Sequence, residues 1–493
     1  MKERLMVKRL LDFIENDTEY HVALVSGLRR TGKTTILKQL RKYYPDSVYI
    51  DLSVSDDGYL EIEEKFFDNP TSLLLLDEIS HLDDYEMISQ SLYDYAGGNK
   101  KCKIIITGSS MAHISKLLCS KLGGGRARLF RLPLLTFVEY LYFTDKIKSY
   151  SDYNEVSNDY FADYLLLKGL DETDAADLAI TFNGRYFESF YSENTIGNAN
   201  TRLSHSKIHL KPDDLDRFVD LIAYKLSDIC EYNTIIRPKV GRKEQINLSG
   251  ASTKLHLNRI DVSDAFVSIS SKVITKVPTD AKGRILNYLL ESGLAYIIYN
   301  DRTLSNDIEE KFDVGTVLDI LSACTKESEL IRLFGELSIN VVSPLFYTRL
   351  GIDILNRAGI SPEFLCSGML HGMMLEMYLC GAICGWSEKV ILTNRKLGNP
   401  NIGEVDIFDE KNRLLCESTI SDKRGGEIHV NEYFKTHPLI RICTTRDKDT
   451  FNGDYYKIPY AKLCCMADTG DIFDLKKTKA ADTSGLFDGP LLN

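Results

Sequence analysis

The sequence predicts an α/β protein of several domains, the first of them a parallel β-sheet flanked by helices. Three observations carry this. β-type runs ending in polar residues recur at His21-Val-Ala-Leu-Val-Ser26, Ser72-Leu-Leu-Leu-Leu76-Asp77-Glu78 and Lys103-Ile-Ile-Ile-Thr107-Gly108-Ser109-Ser110. Between the first two, Thr34 to Tyr44 reads as a helix rich in Leu, Lys and Gln. The four-leucine run shows no polar alternation, as expected of a central strand buried on both faces.

A chain of 493 residues is too long for one core, which makes several domains the expectation. With 44% hydrophobic and 27% charged residues the composition is that of a globular protein and excludes a fibrous or disordered class. The N-terminal MKERLMVKRLLDFIEND is charged throughout and lacks the apolar block of a secretory signal. The most apolar long run, Met369 to Trp386, contains His371, Glu376 and glycines, so it reads as a buried helix rather than a membrane span. Eleven cysteines without a CxxC repeat argue against a disulfide framework and a structural zinc, and for a reducing cytoplasm. Cys380 and Cys384 read as small core residues of a helix. A net charge of −11 gives no global attraction to nucleic acid, so any such contact requires a local basic patch.

Gly27-Leu-Arg-Arg-Thr-Gly32-Lys33-Thr34 fits G-x-x-x-x-G-K-[ST] between a strand and a helix. The glycines let backbone N–H groups wrap phosphate oxygens, Lys33 reaches the terminal phosphates, and the Thr34 hydroxyl can ligate Mg²⁺. The expected nucleotide contacts are Gly27, Arg29, Arg30, Thr31, Gly32, Lys33, Thr34 and Thr35. A second strand, ending at Asp77 and Glu78, presents Asp77 to the metal and Glu78 to the attacking water. Either segment alone is a common accident; both in this order are not. Thr107 or Ser109, at the end of the third strand, is placed to orient the water. Downstream, Gly123-Gly-Gly-Arg126-Ala-Arg128-Leu-Phe-Arg131 is a basic loop in which Arg126, or less favourably Arg128, can stabilise transition-state charge in cis or on a neighbouring subunit. A solvated loop anchoring the next helix is the plainer alternative.

"GLRRTGKTT", "LLLLDEI", "IIITGSS" and "GGGRARLFRLPLLTFVEYL" together resemble the bacterial and archaeal AAA-type ATPases whose phosphate loop reads G-x-R-R-x-G-K-T. The resemblance covers roughly the first third of the chain. It implies ATP and Mg²⁺ as ligands, Glu78 as catalytic base and Thr107 or Ser109 as a sensor. Self-assembly into a homo-oligomer stays open, since such ATPases form rings, dimers and monomers.

From Asp145 to about Glu231 the chain is acidic and tyrosine-rich, and Leu215 to Tyr232 has helical apolar spacing, the pattern of a helical lid or linker. Charge reverses at Arg237, Lys239, Arg242, Lys243, Lys254 and Arg259. "DAKGRILNYLLESGLAYIIYN" then gives a helix capped by Asp280 and ended by Gly293 before a strand. Helix, glycine and a strand entering a hairpin is similar to the recognition helix and wing of winged-helix domains, which implies that Lys282, Arg284 and Asn287 face double-stranded DNA. A solvated basic face on a structural helix is the alternative.

"MLHGMMLEMYLCGAICGW", "NIGEVDIFDEKNRLLCESTISDK" and "LIRICTT" read as helix, hairpin and strand, with Glu376 on the helix and Asp406 and Glu417 on the hairpin. This layout resembles the PD-(D/E)xK, restriction-endonuclease-like fold, and after an AAA ATPase it matches the family whose C-terminal region is a domain of unknown function. The resemblance implies Mg²⁺ on Asp406 and Glu417; Glu376 joins them as a candidate because a carboxylate buried on an apolar helix is costly without a partner or a metal. Thr419 stands where active members carry lysine, and Lys423 is about 20 Å along an extended chain from Glu417, so a degenerate nuclease is expected. Glu404 could add a metal oxygen, and Lys411 or Lys423 could replace the missing lysine.

The expected organisation is an AAA-type P-loop domain (1–145), a helical lid (146–235), a winged-helix-like domain (236–335), an α/β nuclease-like domain (336–478) and a disordered tail (479–493). The expected function is Mg²⁺-dependent ATP hydrolysis used as a switch in a DNA-associated protein. An ATP-gated nuclease and a scaffold ATPase that never touches DNA are the alternatives; a membrane partner is not expected.

Overall fold

The computed structural model describes residues 2–27, 31–68, 71–82, 88, 91–92, 94–95, 102–108, 114, 117, 127–170, 280, 283–284, 286–287, 290, 295–299, 314–341, 343–345, 361–366, 368–386, 391–394, 405–409, 412–418, 420, 440–446, 448–451 and 455–476. Helix α1 (Leu5–Asn16) precedes strand β1 (Val22–Ser26), and α2 (Lys33–Tyr43) follows it. Then come β2 (Val48–Asp51), α3 (Gly58–Ile62), β3 (Leu73–Asp77), β4 (Lys103–Gly108) and β5 (Ala127–Arg131). These five strands form one sheet in the order β2-β3-β4-β1-β5, with every pairing parallel.

The apolar runs explain the layering. Along β3, Leu74 and Leu76 enter one core with Val22, Leu24, Ile104 and Ile106, while Leu73 and Leu75 enter the other with Ala23, Val25, Ile105 and the inner faces of α1 and α2. Successive side chains point to opposite faces, so a strand covered on both sides needs apolar residues at every position. Because β1 lies between β4 and β5, the loop after β1 opens at the carboxyl edge where connections diverge, a common place for ligand binding in open parallel sheets.

Two short helices, α4 (Phe137–Phe143) and α5 (Asp159–Leu165), leave this sheet. Farther on lie β6 (Ala295–Tyr299), α6 (Val314–Ala323), α7 (Glu327–Glu336), β7 (Leu337–Val341) and α8 (Gly368–Cys384). The last part holds β8 (Ile391–Asn394), β9 (Val405–Asp409), β10 (Leu414–Glu417), β11 (Ile440–Thr445), β12 (Thr450–Phe451), β13 (Tyr456–Pro459) and α9 (Tyr460–Thr469). Strands β8 to β13 form a mixed sheet in the order β12-β13-β11-β10-β9-β8. One large core joins α4 and α5 to α8, α9 and the inner face of this sheet, through Phe137, Phe161 and Tyr164 on one side and Tyr378, Ile442 and Cys464 on the other.

The expected winged helix and its neighbours are described only in part. Among the described residues β6 pairs antiparallel with β7, and α6 and α7 lie between them in sequence, whereas the expected hairpin partner directly after β6 lies outside the described residues. The residue 215–232 helix, the basic run from Arg237 to Arg259 and the 479–493 tail lie outside the described residues. No helix among the described residues is long and apolar enough to cross a membrane.

Candidate active site

The loop after β1 brings the predicted phosphate contacts to the N-terminus of α2. Gly32 takes the N-cap position at φ 92°, ψ 21°, a left-handed conformation that favours glycine, and no side chain caps the helix. Gly27 is needed for a different reason: a Cβ there would sit 2.9 Å from Leu132 Cβ and 3.2 Å from the Leu132 carbonyl. A helix N-terminus with no capping side chain, entered through Gly32, suits an anion. Lys33 is buried and folds back on the loop, its Nζ donating to the Gly27 carbonyl at 2.8 Å. Thr34 and Thr35 occupy the first turn of α2. Arg29 and Arg30 lie outside the described residues.

Across from the loop, the ends of β3 and β4 build a second group. Asp77 is buried, and its Oδ1 accepts the Thr107 hydroxyl at 2.6 Å. The same Thr107 oxygen accepts the Glu78 backbone N–H at 3.0 Å, so one hydroxyl ties both acidic residues together. A threonine hydroxyl has a single proton, and here it is committed to Asp77. Thr107 therefore holds Asp77 and Glu78 in place instead of donating to water, which corrects the expected water-orienting role. Ser109 lies outside the described residues.

Glu78 itself adopts φ 59°, ψ 60°, a left-handed conformation costing a non-glycine residue about 1 kcal/mol. Its carboxylate accepts the Ser80 hydroxyl at 2.7 Å and stands 3.9 Å from Lys33 Nζ. Strand β3 thus delivers one acid to the sheet edge and turns the next toward the phosphate loop. Strain of this kind clusters at working sites.

Sequence reading missed Tyr49. On β2 it lies opposite Leu75, and its hydroxyl donates to Asp77 Oδ2 at 3.0 Å. Burial, then the nearby Asp77 charge, raises the Tyr49 pKa, which keeps the phenol a donor. The signal was available: Leu75 and Asp77 share a face of β3, and "VYID" places a tyrosine beside them. Asp77 and the Thr34 hydroxyl are the oxygen groups that suit Mg²⁺, a hard cation.

The other predicted sites fare differently. Arg126 lies outside the described residues, and Arg128 is paired with Asp17 at 3.2 Å. Lys282 also lies outside them, whereas Asn287 is buried and donates from Nδ2 to the Leu318 carbonyl at 2.9 Å. Gly283, Asn287 and Leu290 form one stripe packed against α6, which turns Asn287 inward and away from any DNA. The Arg284 side chain is only 13% exposed and pairs with Asp280 at 2.7 Å, so it is held along its own helix. Both residues depart from the expected recognition surface.

Among the described residues, no three His, Cys, Asp or Glu side chains gather as a metal site. Glu376 is partly exposed on α8, so burial of a carboxylate no longer argues for a metal there. Asp406 Oδ2 accepts Ser418 N at 2.6 Å and Ser418 Oγ at 2.8 Å, and Glu417 ends the neighbouring strand β10. The three acids therefore do not assemble into the expected cluster. Glu404, Lys411, Thr419 and Lys423 lie outside the described residues.

Comparison with known proteins bears on the N-terminal part. Residues 19–141 match the family model described as an AAA domain. An uncharacterized protein of Methanocaldococcus jannaschii is 33% identical over 174 residues, covering 31% of this chain and 34% of the relative, so the chain spans about a third of that relative's length. Among solved structures, Cdc6p from Pyrobaculum aerophilum overlaps at 15% identity and TM-score 0.25, covering 55% of this chain and 93% of that one. The replication initiator DnaA bound to AMPPCP and single-stranded DNA overlaps at 13% identity and TM-score 0.26, covering 55% and 94%. Overlaps this loose assign neither fold nor function. The family match, the all-parallel sheet and the glycine loop agree with one another: residues 19–141 are an AAA-type P-loop domain.

Proposed function

We propose that this protein binds and hydrolyses ATP with Mg²⁺ at the carboxyl edge of the parallel sheet, and that nucleotide state acts as a conformational switch. The observation that carries the reading is the Thr107 hydroxyl holding Asp77 and Glu78 together, opposite Lys33 and the bare N-terminus of α2. Lys33 would exchange the Gly27 carbonyl for phosphate oxygens. Thr34 and Asp77 would hold Mg²⁺, whose charge supplies electrostatic stabilisation of the transferring phosphoryl group. Glu78 would accept hydrogen bonding from the attacking water and polarise it. Adenine preference rests on the AAA resemblance.

A DNA-associated role for the switch rests on the basic run Arg237 to Arg259. Salt-dependent binding of double-stranded DNA tests it, because phosphate contacts release counterions. The nuclease reading has no supporting side-chain cluster among the described residues.

The test of the ATPase is phosphate release by the full chain and by Glu78→Gln and Lys33→Ala, each with Mg²⁺ and with or without duplex DNA. We expect both variants to lose hydrolysis by about 100-fold or more, with Glu78→Gln still binding nucleotide. Hydrolysis retained in Glu78→Gln would remove Glu78 as the base, and no ATP binding by the wild type would overturn the whole reading.

A further inference from the structure

Arg4 belongs to no nucleotide motif, yet it is 3% exposed and bonds fixed partners through all three of its guanidinium nitrogens. Nη1 donates to the Thr31 carbonyl of the phosphate loop at 2.7 Å. Nε and Nη2 donate to the two Glu139 oxygens at 2.7 and 3.0 Å, and Nη2 also reaches the Leu134 carbonyl at 2.8 Å. In a loop whose N–H groups turn toward an anion, carbonyls turn outward, and Arg4 takes one of these from behind. A Cβ on Gly32 would lie 3.6 Å from Arg4 Nη1, so the guanidinium sits directly beneath the second glycine of the motif.

Glu139 passes the connection on. Its Oε1 also accepts Leu5 N at 2.9 Å, and its Oε2 accepts Thr136 N at 3.1 Å, closing a capping box at the start of α4. The next two amides of α4 are taken by the C-terminal part of the chain: Phe137 N donates to the Tyr378 hydroxyl at 2.5 Å, and Val138 N to Asp468 Oδ2 at 2.9 Å. Tyr378 in turn donates to Asp468 Oδ1 at 2.7 Å. A cavity of about 70 Å³ adjoins this junction, with Arg9, Glu139, Tyr378, Trp386 and Asp468 on its wall, which leaves the contact room to rearrange.

We propose that Arg4 is a positioning residue of the phosphate loop, and that the Arg4–Glu139 pair couples nucleotide binding in that loop to the seating of α8 and α9 on α4. The proposal rests on the nucleotide-site reading above. Arginine is required because a fork with five donors meets a carboxylate and two sets of carbonyls at once; lysine offers a point charge and cannot. The bond to Thr31 fixes the loop's outer face, so a shift of the loop on phosphate binding displaces the guanidinium, the capping box and then the two amides held by Tyr378 and Asp468.

The experiment is hydrogen exchange of the full chain, with and without Mg·ATP, read at the Phe137 and Val138 amides, together with Mg·ATP affinity and the KM and kcat of hydrolysis. Wild type, Arg4→Lys and Lys33→Ala are compared. In the wild type, Mg·ATP should change exchange at Phe137 and Val138. Arg4→Lys should bind Mg·ATP about tenfold more weakly, the scale of one charged hydrogen bond, raise KM more than kcat falls, and lose the nucleotide response of those amides at saturation. A purely structural Arg4 would lower stability and leave that response intact at saturation, which overturns the proposal. Should Arg4→Lys not fold, the wild-type measurement decides: Mg·ATP binding abolished by Lys33→Ala but without any effect on the two amides sinks the coupling and leaves the nucleotide site standing. No Mg·ATP binding by the wild type sinks both.

Discussion

Asp468, near the end of α9, accepts the backbone N–H of Val138 at 2.9 Å across 330 positions of sequence. A residue of α9 thereby serves as a cap for α4, which leads out of the AAA-type domain. Tyr378 of α8 completes the contact by taking the Phe137 amide and donating to Asp468. Around it, Arg9 of α1 lies 3.7 Å over the ring of Trp386, the chain's one tryptophan, whose Nε1 donates to the Ala467 carbonyl at 2.8 Å. Burial lowers the Arg9 pKa to about 10, still far above neutrality, so the guanidinium stays charged against the ring.

Burial raises the Asp468 pKa to about 8, against the opposing effect of the Val138 and Tyr378 hydrogen bonds. An unfolded aspartate titrates near 3.9, so between about pH 4 and pH 8 the folded state holds a proton that the unfolded state has lost. This contribution is fully present below about pH 4, falls by on the order of 1 kcal/mol per pH unit, and is gone above about pH 8. Asp468→Asn keeps an oxygen for Val138 and removes the titration. Denaturant midpoints at pH 5 and pH 8 should therefore fall less with rising pH in the variant than in the wild type; parallel changes would show that Asp468 is ionised throughout.

Thr107→Val keeps the shape of the side chain and removes the hydroxyl shared by Asp77 and Glu78. The buried Asp77 carboxylate and the part-buried Glu78 amide lose a partner, at about 1–3 kcal/mol in stability. Hydrolysis should drop by about tenfold or more while nucleotide affinity changes little, since the phosphate loop is untouched. Steady-state kinetics beside a nucleotide titration checks this, and equal loss of affinity and turnover would count against the positioning role.

The two glycines of the loop should fail for different reasons. Gly27→Ala meets Leu132 Cβ at 2.9 Å, an overpacking expected to cost about 1–3 kcal/mol. Gly32→Ala finds space but inherits φ +92°, a strain of about 1 kcal/mol. Asparagine tolerates that region, so Gly32→Asn should recover part of the loss in a thermal melt, whereas Gly27→Asn should be worse than Gly27→Ala.

Arg284→Gln removes a charge held by Asp280 along its own helix. Any DNA affinity should keep its slope against salt concentration, because a phosphate contact would be worth nearly one released ion and the Arg284 charge is already held by Asp280. A slope reduced by about one would restore Arg284 to the DNA surface.

The phosphate loop, the Asp77-Glu78 strand end and the Thr107 strand were legible because each is local: a glycine spacing, an apolar run and the residue that ends it. The hairpin of β9 and β10 was legible for the same reason, from two runs separated by Asp409-Glu-Lys-Asn412. Asn287 was misread because helical periodicity gives a stripe and not what covers it; α6, some thirty residues on, decided that the stripe with Asn287 faces inward.

What the sequence by itself determined is therefore the set of strands, the loop and the acids at the sheet edge, since period and composition record local geometry. Only the tertiary structure decided that Tyr49 holds Asp77, that Arg4 reaches the phosphate loop 27 positions away and Glu139 at 135, and that Asp468 caps a helix 330 positions earlier. Such contacts satisfy buried donors and acceptors wherever the folded chain happens to bring a partner, and no spacing along the chain encodes which partner that will be.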